Sequence, residues 1–218
     1  MRIRRLVALI LGCVLMCFLL ACGNAEEEKS NTSTIVPEQT ASPEVGTDND
    51  KKDSENDEKI LIAYFSWSGN SKSEAELIQK ETNGTLFKIA REKPYPEDYT
   101  ECTEVAKKET DDNARPAIKN PLESVAEYDK IVVCYPIWWH TAPMCVGTFL
   151  ENYDLSEKVI YPISQSASMD EGQFKESVSF VKECAKNADV KDGLFVNSND
   201  EETITKYVKE TILNRNES

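Results

Sequence analysis

The chain has 218 residues, of which 39 are acidic and 25 are basic, so that its formal net charge is −14. This length suits one ordinary domain, or one domain with a tail. The acidity argues against a nucleic-acid-binding protein, because neutralising phosphates requires a basic surface. The chain has one histidine and no CxxC pair among its seven cysteines, which excludes a His-rich metal site and argues against a zinc ribbon.

Residues 1–21 are predicted to form a secretory signal peptide. Arg2, Arg4 and Arg5 provide a basic start, and residues 6–21 form an unbroken apolar run. A bilayer-spanning helix needs about 20 apolar residues, so this shorter run is typical of a signal-peptide core. The Arg4-Arg5 pair leaves a twin-arginine export signal open as an alternative route.

The run ends in Leu19-Leu20-Ala21-Cys22, which resembles the lipobox of bacterial lipoproteins. The resemblance implies cleavage before Cys22 and attachment of a diacylglyceryl group to its thiol. Two acyl chains anchor a protein stably, since each buried methylene contributes about 0.8 kcal/mol. We therefore expect an extracytoplasmic protein that is lipid-anchored to the cell membrane. An ordinary signal peptide with an incidental cysteine is the alternative.

Residues 22–58 are predicted to be a disordered acidic tether. Positions 23–58 hold 11 acidic residues, three lysines and no aromatic residue. Such a segment cannot bury enough apolar surface to offset the entropy of ordering it. Residues 59–218 are long enough to build a core and are assigned to one folded domain.

The folded part alternates predicted strands with predicted helices. Strands are predicted at residues 60–65, 85–90, 130–135, 158–164 and 193–196, and helices at 71–82, 96–112, 144–152, 171–187 and 200–213. Continuous apolar runs such as residues 60–65 indicate strands that are covered on both faces. The alternation predicts an α/β fold with a doubly wound, mostly parallel sheet. Ligands of such sheets bind beyond the carboxyl ends of the strands, which directs attention to the loops there.

The loop after the first strand reads Ser66-Trp67-Ser68-Gly69-Asn70-Ser71. Backbone N–H groups at the start of the next helix can surround an anion, and glycine permits the tight geometry that this needs. No lysine stands where a Walker nucleotide site requires one, so a small phosphate monoester is expected. A helix cap made of serine and asparagine, with no ligand, is the alternative.

The loop after the third strand contains Pro136-Ile137-Trp138-Trp139-His140. The three tryptophans of the chain, Trp67, Trp138 and Trp139, all fall in these two loops. Tryptophan usually packs in a core, but in strand-end loops it can form flat walls for a planar ring. His140 could hydrogen-bond such a ring or donate a proton, and an incidental loop histidine is the alternative.

Residues 62–71, 136–139 and 142–144 together resemble the flavodoxin-like family, most closely the small bacterial flavodoxins with a tryptophan in the phosphate loop. Residues 92–99 and 113–116 are similar to the same subgroup. The resemblance covers most of residues 59–213. It implies a five-stranded parallel sheet in the order 2-1-3-4-5, with flavin mononucleotide (FMN) as the cofactor.

The resemblance assigns one set of residues to the phosphate of FMN and another set to its isoalloxazine ring. The phosphate set is Ser66, Ser68, Gly69, Asn70 and Ser71, and Trp67 of the same loop is a further candidate cofactor-binding residue. The ring set is Pro136, Ile137, Trp138 and Trp139. Apart from the resemblance, His140 and the polar residues Ser164, Gln165 and Ser166 after the fourth strand are candidates to hydrogen-bond the ring. In this last loop the sequence departs from its relatives, which commonly have glycines where residues 164–171 have none.

The sequence predicts an FMN-binding electron-transfer protein, without naming its electron donor or acceptor. An FMN-dependent reductase of quinones or other small molecules is a second hypothesis. A third is an extracellular binding module that keeps the fold and has lost the cofactor. Neither a protein nucleophile nor a metal is needed for the flavin chemistry. Cys102, Cys134, Cys145 and Cys184 allow three complete disulfide pairings, among which the sequence does not choose.

Overall fold

A computed structural model describes residues 58–197 and 200–215. The predicted signal peptide, export motif, Cys22 lipidation site and tether before residue 58 lie outside the described residues. Within the described part, no helix is both long and apolar enough to cross a membrane. The strands are β1 (Ile60–Tyr64), β2 (Thr85–Lys88), β3 (Lys130–Pro136), β4 (Val159–Gln165), β5 (Asp189–Val190) and β6 (Leu194–Val196). The helices are α1 (Asn70–Thr82), α2 (Tyr99–Asp111), α3 (Met144–Glu151), α4 (Glu171–Cys184) and α5 (Glu201–Tyr207), and α5 continues into a π-helical turn at Val208–Ile212.

All strands pair in parallel in the order β2-β1-β3-β4, and β5 and β6 share the fifth position beside β4. This arrangement confirms the predicted α/β fold with strand order 2-1-3-4-5. The carboxyl ends of β1, β3 and β4 therefore meet at one edge of the sheet, where the loops singled out in the sequence also meet.

Alternate residues of the central strands face two separate cores, as expected for strands that are covered on both sides. Leu61 and Ala63 of β1 join the core beneath α2, α3 and α4, whereas Ile60 and Ile62 join the core beneath α1 and α5. These four side chains are at most 6% exposed, and their burial explains the unbroken apolar runs in the sequence.

The fifth strand differs from its prediction because it is divided into β5 and β6. Gly193, between the two pieces, has a left-handed φ of 80°. A Cβ at this position would lie 2.2 Å from the carbonyl oxygen of Pro162 in β4, so that only glycine fits. Pro162 also lacks an N–H with which to pair. The prediction that α4 continues to residue 187 was wrong by three residues, since Ala185 leaves the helical conformation, with φ −89° and ψ 61°, and Asn187 then adopts a left-handed φ of 67°.

The amino edge of the sheet receives the chain from the predicted tether. The Lys59 backbone N–H donates to the Asp129 carboxylate at 2.9 Å, and the buried Lys130 ammonium binds both Glu58 and the Ile212 carbonyl oxygen. These bonds hold residues 58 and 59 at the edge opposite the carboxyl ends of the strands.

Candidate functional site

The loop between β1 and α1 leaves the start of the helix without a side-chain cap. Gly69 adopts a left-handed φ of 104°, and its N–H donates to the Ser66 hydroxyl at 3.0 Å. A Cβ at Gly69 would meet no atom within 4 Å, so the conformation, not crowding, demands glycine. Because the first N–H groups of a helix have no partner within it, the start of α1 is able to bind an anion.

The side chains of this loop point in different directions. Ser68 and Asn70 are exposed, whereas Ser71 is buried against the core and Ser66 is occupied by its bond to Gly69. Exposed groups can contact a ligand directly, whereas Ser71 contributes through the backbone at the helix start. Trp67 is 37% exposed, and its indole N–H donates to the Pro96 carbonyl oxygen at 3.0 Å.

The tryptophan loop after β3 is a tight two-residue hairpin. Trp138 and Thr141 exchange two backbone hydrogen bonds, of 2.9 and 3.0 Å. The central residues, Trp139 and His140, have φ values of 50° and 62°. Such turns favour asparagine and glycine, so a tryptophan and a histidine in this conformation carry backbone strain. Strain of this kind persists only where the surrounding contacts hold it in place.

Contacts from both sides hold the hairpin. Trp138 packs edge-on against Phe65 and Tyr95, with ring centroids 5.3 and 5.1 Å away. Trp139 is 43% exposed, and its indole N–H donates to the Thr103 carbonyl oxygen of α2 at 3.2 Å.

Two residues of α4, Gln173 and Glu176, form hydrogen bonds with the His140 ring. The Gln173 side-chain oxygen accepts the Asp170 backbone N–H at 3.0 Å, which turns its amide nitrogen toward His140 Nε2, 3.2 Å away. This nitrogen donates to Nε2, so the ring proton lies on Nδ1 and is directed to the Glu176 carboxylate at 3.2 Å. His140 therefore borders the site and ties the hairpin to α4.

Serine hydroxyls hydrogen-bond the backbone at the carboxyl end of β4. The Ser166 hydroxyl accepts the N–H groups of Ser168 and Met169 at 3.3 and 3.2 Å. Ser164 is fully buried, and its hydroxyl donates to the Tyr135 carbonyl oxygen. Gln165 presents a buried side-chain oxygen with no hydrogen-bond partner among the described residues. Of the three residues predicted here, Gln165 and Ser166 reach the site, and Ser164 lies within the sheet.

These loops and α2 enclose a cleft of about 390 Å³ at the carboxyl edge of the sheet. Its walls contain no aspartate, glutamate, lysine or arginine, although the chain is strongly acidic. Ser66, Ser68, Gly69 and Ser71 are outside its walls and form the adjoining anion site. The lining residues are Trp67, Asn70, Tyr99, Cys102, Thr103, Ala106, Pro136, Ile137, Trp138, Trp139, His140, Gln165, Ser166, Ala167, Ser168 and Met169.

Helix α2 supplies the part of this wall that the sequence reasoning missed. Tyr99, Cys102, Thr103 and Ala106 line the cleft. They recur at helical spacing, which is also the spacing of ordinary core residues. In the sequence, Tyr99 was the available signal, because it ends residues 92–99, a stretch that resembles the family. In the structure its side chain is 70% exposed.

A buried ion pair supports the α2 wall from behind. The Glu109 carboxylate accepts from the Arg91 guanidinium at 2.6 Å and from the Tyr95 hydroxyl at 2.5 Å. Arg91 also lies over the Tyr95 ring, 4.2 Å from its centroid. Burial, then the Cys145 thiol and Glu109, raise the pKa of Tyr95, so its hydroxyl stays protonated and donates. Because Tyr95 packs on Trp138, the Arg91–Glu109 ion pair helps to position Trp138 in the wall of the cleft.

The four described cysteines are buried and unpaired, so none of the open disulfide pairings forms. Burial raises the pKa of Cys145 and of Cys184 to about 12, and both thiols remain protonated and unreactive at neutral pH. No cluster of metal-binding side chains occurs among residues 58–197 and 200–215.

Comparison with known proteins gives a consistent set of similarities. The sequence profile of the flavodoxin family matches residues 59–211. A protein of Bacteroides eggerthii described as a flavoprotein is 32% identical; the match covers 69% of this chain and 96% of that one, with a TM-score of 0.61. A similar protein of Bacteroides uniformis is 28% identical over 70% and 98% of the two chains, with a TM-score of 0.61.

A flavoprotein of Lactobacillus acidophilus, solved in complex with FMN, has the same fold. It is 24% identical over 68% of this chain and 99% of that one, with a TM-score of 0.55. No functionally curated protein is significantly similar to the chain.

Proposed function

The chain belongs to the flavodoxin family, and we propose that it binds FMN in the cleft and uses it to transfer electrons. The observation that carries this proposal is a cleft with uncharged, aromatic walls beside the uncapped start of a 13-residue helix. A planar, largely uncharged ring suits the first feature, and a phosphate suits the second. The FMN complex of the Lactobacillus acidophilus protein supports the same choice of cofactor.

The residues present fit such a cofactor. The backbone at Gly69, Asn70 and Ser71 would hold the phosphate, with the exposed Ser68 hydroxyl as a further donor. Trp138 and Trp139 would provide the ring with apolar walls. The unpartnered Gln165 oxygen would accept a hydrogen bond from a ring N–H. When bound, the flavin supplies one- or two-electron chemistry, and the protein excludes water from it and sets its potentials.

The test is a visible absorption spectrum of the purified full-length chain after FMN is added and the excess removed. We expect a stoichiometric flavin band. Trp139→Ala should weaken binding up to about tenfold, because a contact between stacked aromatic rings contributes about 0.5–1.5 kcal/mol. Ser179→Ala, on the outer side of α4, removes an exposed hydroxyl that bonds within its own helix and should leave binding unchanged. Folded protein without a band would instead favour the binding module that has lost its cofactor.

A reductase is the second candidate, because the same walls would also admit a neutral planar acceptor. Trp67, Tyr99 and Trp139 are exposed at the rim, and no charged side chain lines the cleft. A neutral quinone should be reduced at least about tenfold faster than its sulfonated analogue. The sulfonate would lose its hydration on entering the cleft, where no side chain provides a counter-charge. Turnover would be followed with NADH or NADPH as the reductant. Flavin binding without turnover would restrict the protein to electron carriage.

We also propose that the domain is held at the outer face of the cell membrane through a lipid on Cys22. The lipobox resemblance supports this anchor. Residues 58 and 59 enter at the amino edge of the sheet, opposite the edge that carries the cleft. Cys22→Ala should move the protein from the membrane fraction to the soluble fraction; retention in the membrane fraction would contradict lipid anchoring at this residue.

A further inference from the structure

Glu74 of α1 is a buried carboxyl group that finds no partner in the described part of the chain. Its side chain has no exposed surface, and neither carboxylate oxygen has a hydrogen-bond partner among the described residues. An ionised carboxylate in this state would be very costly, so the group is held in its neutral form. Burial raises the pKa of Glu74 to about 8, which puts its titration just above neutral pH.

The position of Glu74 links it to the anion site. Glu74 and Ser71 are three residues apart on the buried face of α1, so their Cβ atoms are neighbours at roughly 5–6 Å. Helical side chains lean toward the amino end of their helix, which carries Glu74 toward the uncapped first turn. An ionised Glu74 would therefore be close to any phosphate bound there.

Within residues 58–197 and 200–215, no cation forms an ion pair with Glu74. Glu74 raises the pKa of the Cys134 thiol further, after burial, and that thiol is neutral. Lys72 pairs with Glu76 on the exposed side of α1. Lys209 Nζ lies 3.9 Å from the carboxylate of Glu81, which is in the last turn of α1. The titratable groups on the elements packed against α1 are Tyr64 (β1), Lys88 (β2), Lys130, Cys134 and Tyr135 (β3), Tyr161 (β4), Glu201, Glu202, Lys206 and Tyr207 (α5) and Lys209 and Glu210 (the π-helical turn).

We propose that Glu74 must keep its proton for the flavin phosphate to bind at the start of α1, so that this carboxyl makes flavin affinity depend on pH. The proposal rests on the proposed function, because it concerns the phosphate end of the same site. At neutral pH the uncharged acid leaves the positive helix terminus available to the phosphate. At higher pH the carboxylate repels the phosphate and competes for the same helix terminus.

The test compares dissociation constants of FMN for the full-length chain and Glu74→Gln from pH 6.5 to pH 9.5. Both proteins should bind alike at pH 6.5. Above pH 8 the unsubstituted chain should lose affinity by up to tenfold per pH unit, reaching about 30-fold at pH 9.5 relative to Glu74→Gln. The ionisation of FMN itself affects both proteins equally and cancels in this ratio. Calorimetry in two buffers should show proton uptake on binding at pH 8.5 for the unsubstituted chain alone.

Riboflavin provides the control ligand, because it lacks the phosphate. Its affinity ratio should stay near one across the same pH range. Glu81→Gln is the matched control variant, because it makes the same charge change in the last turn of α1 and should follow the unsubstituted chain. If Glu74→Gln fails to fold, Glu74→Met replaces it.

The possible results separate the two proposals. Tight FMN binding with a ratio that does not change with pH would overturn the role of Glu74 and leave the proposed function intact. A ratio that changes equally for riboflavin would also overturn it, since the effect would then be on the whole domain. No FMN binding by either protein at any pH would overturn both proposals.

Discussion

Two buried glutamates on two helices beside the same cleft have opposite surroundings. Glu109 of α2 is 9% exposed and accepts hydrogen bonds from Arg91 and Tyr95. Glu74 of α1 is fully buried and has no partner among the described residues. Burial of a carboxylate is tolerated when a cation and hydrogen bonds compensate it, and otherwise the group keeps its proton.

The difference indicates two uses of the same residue type. Glu109 acts as an anion that fixes Tyr95, and through it the wall formed by Trp138. Glu74 acts as a neutral acid whose ionisation would disturb the region where the phosphate is proposed to bind.

Glu74→Gln should change the pH dependence of stability more than any other substitution considered. In the native chain Glu74 holds its proton up to about pH 8, whereas in the unfolded chain it loses the proton near pH 4.5. Between these values the folded state binds more protons, so its stability falls as pH rises. The unsubstituted chain should lose on the order of 4 kcal/mol from this group between pH 5 and pH 9, and Glu74→Gln should not. Urea unfolding at both pH values measures the difference, and parallel pH curves for the two proteins would contradict it.

Glu109→Gln should destabilise the domain by about 3 kcal/mol at neutral pH, because it leaves the Arg91 charge buried without its counter-charge. The same urea titration measures this loss. The double variant Arg91→Met with Glu109→Leu should recover most of it, because no buried charge then remains. A double variant as unstable as the sum of its two single changes would show that the two residues act independently.

Tyr95→Phe should cost about 1.5 kcal/mol, the contribution of a hydrogen bond to a charged acceptor. The ring stays, so its packing on Trp138 and its contact with Arg91 are kept. Thermal unfolding measures the loss, and Tyr153→Phe, whose hydroxyl donates to the neutral Leu122 carbonyl oxygen, provides a comparison with a smaller expected cost. Equal losses for the two variants would argue against an ionised Glu109.

Gly69→Ala should cost about 1–2 kcal/mol through backbone strain alone, since the added Cβ meets no atom. This loss should be the same at pH 6 and pH 9, which separates it from the effect of Glu74, about one and a half helical turns away. Unfolding at the two pH values measures it. A loss that changed with pH would mean that the loop conformation is coupled to Glu74.

Local sequence pattern was sufficient to predict most of the fold. The apolar run at residues 60–65 and the alternation of strands with helices determined the sheet, because a strand buried on both faces must be apolar throughout. The strand order came from the family resemblance. The division of the fifth strand was not predictable, since it depends on how closely Gly193 approaches Pro162 of a different strand.

For the site, the sequence by itself determined which loops matter, because residues at the carboxyl ends of parallel strands share one edge of the sheet. Tertiary structure alone decided which side chains reach the cleft. It buried Ser164 under the Tyr135 carbonyl, engaged His140 with Gln173 and Glu176, and brought the α2 wall to the loops. It also gave the two buried glutamates different surroundings, since Glu109 lies beside Arg91 and Glu74 has no partner among the described residues. A glutamate on a helix has the same local signature in both positions, and only the packing of distant elements determines whether a cation meets it.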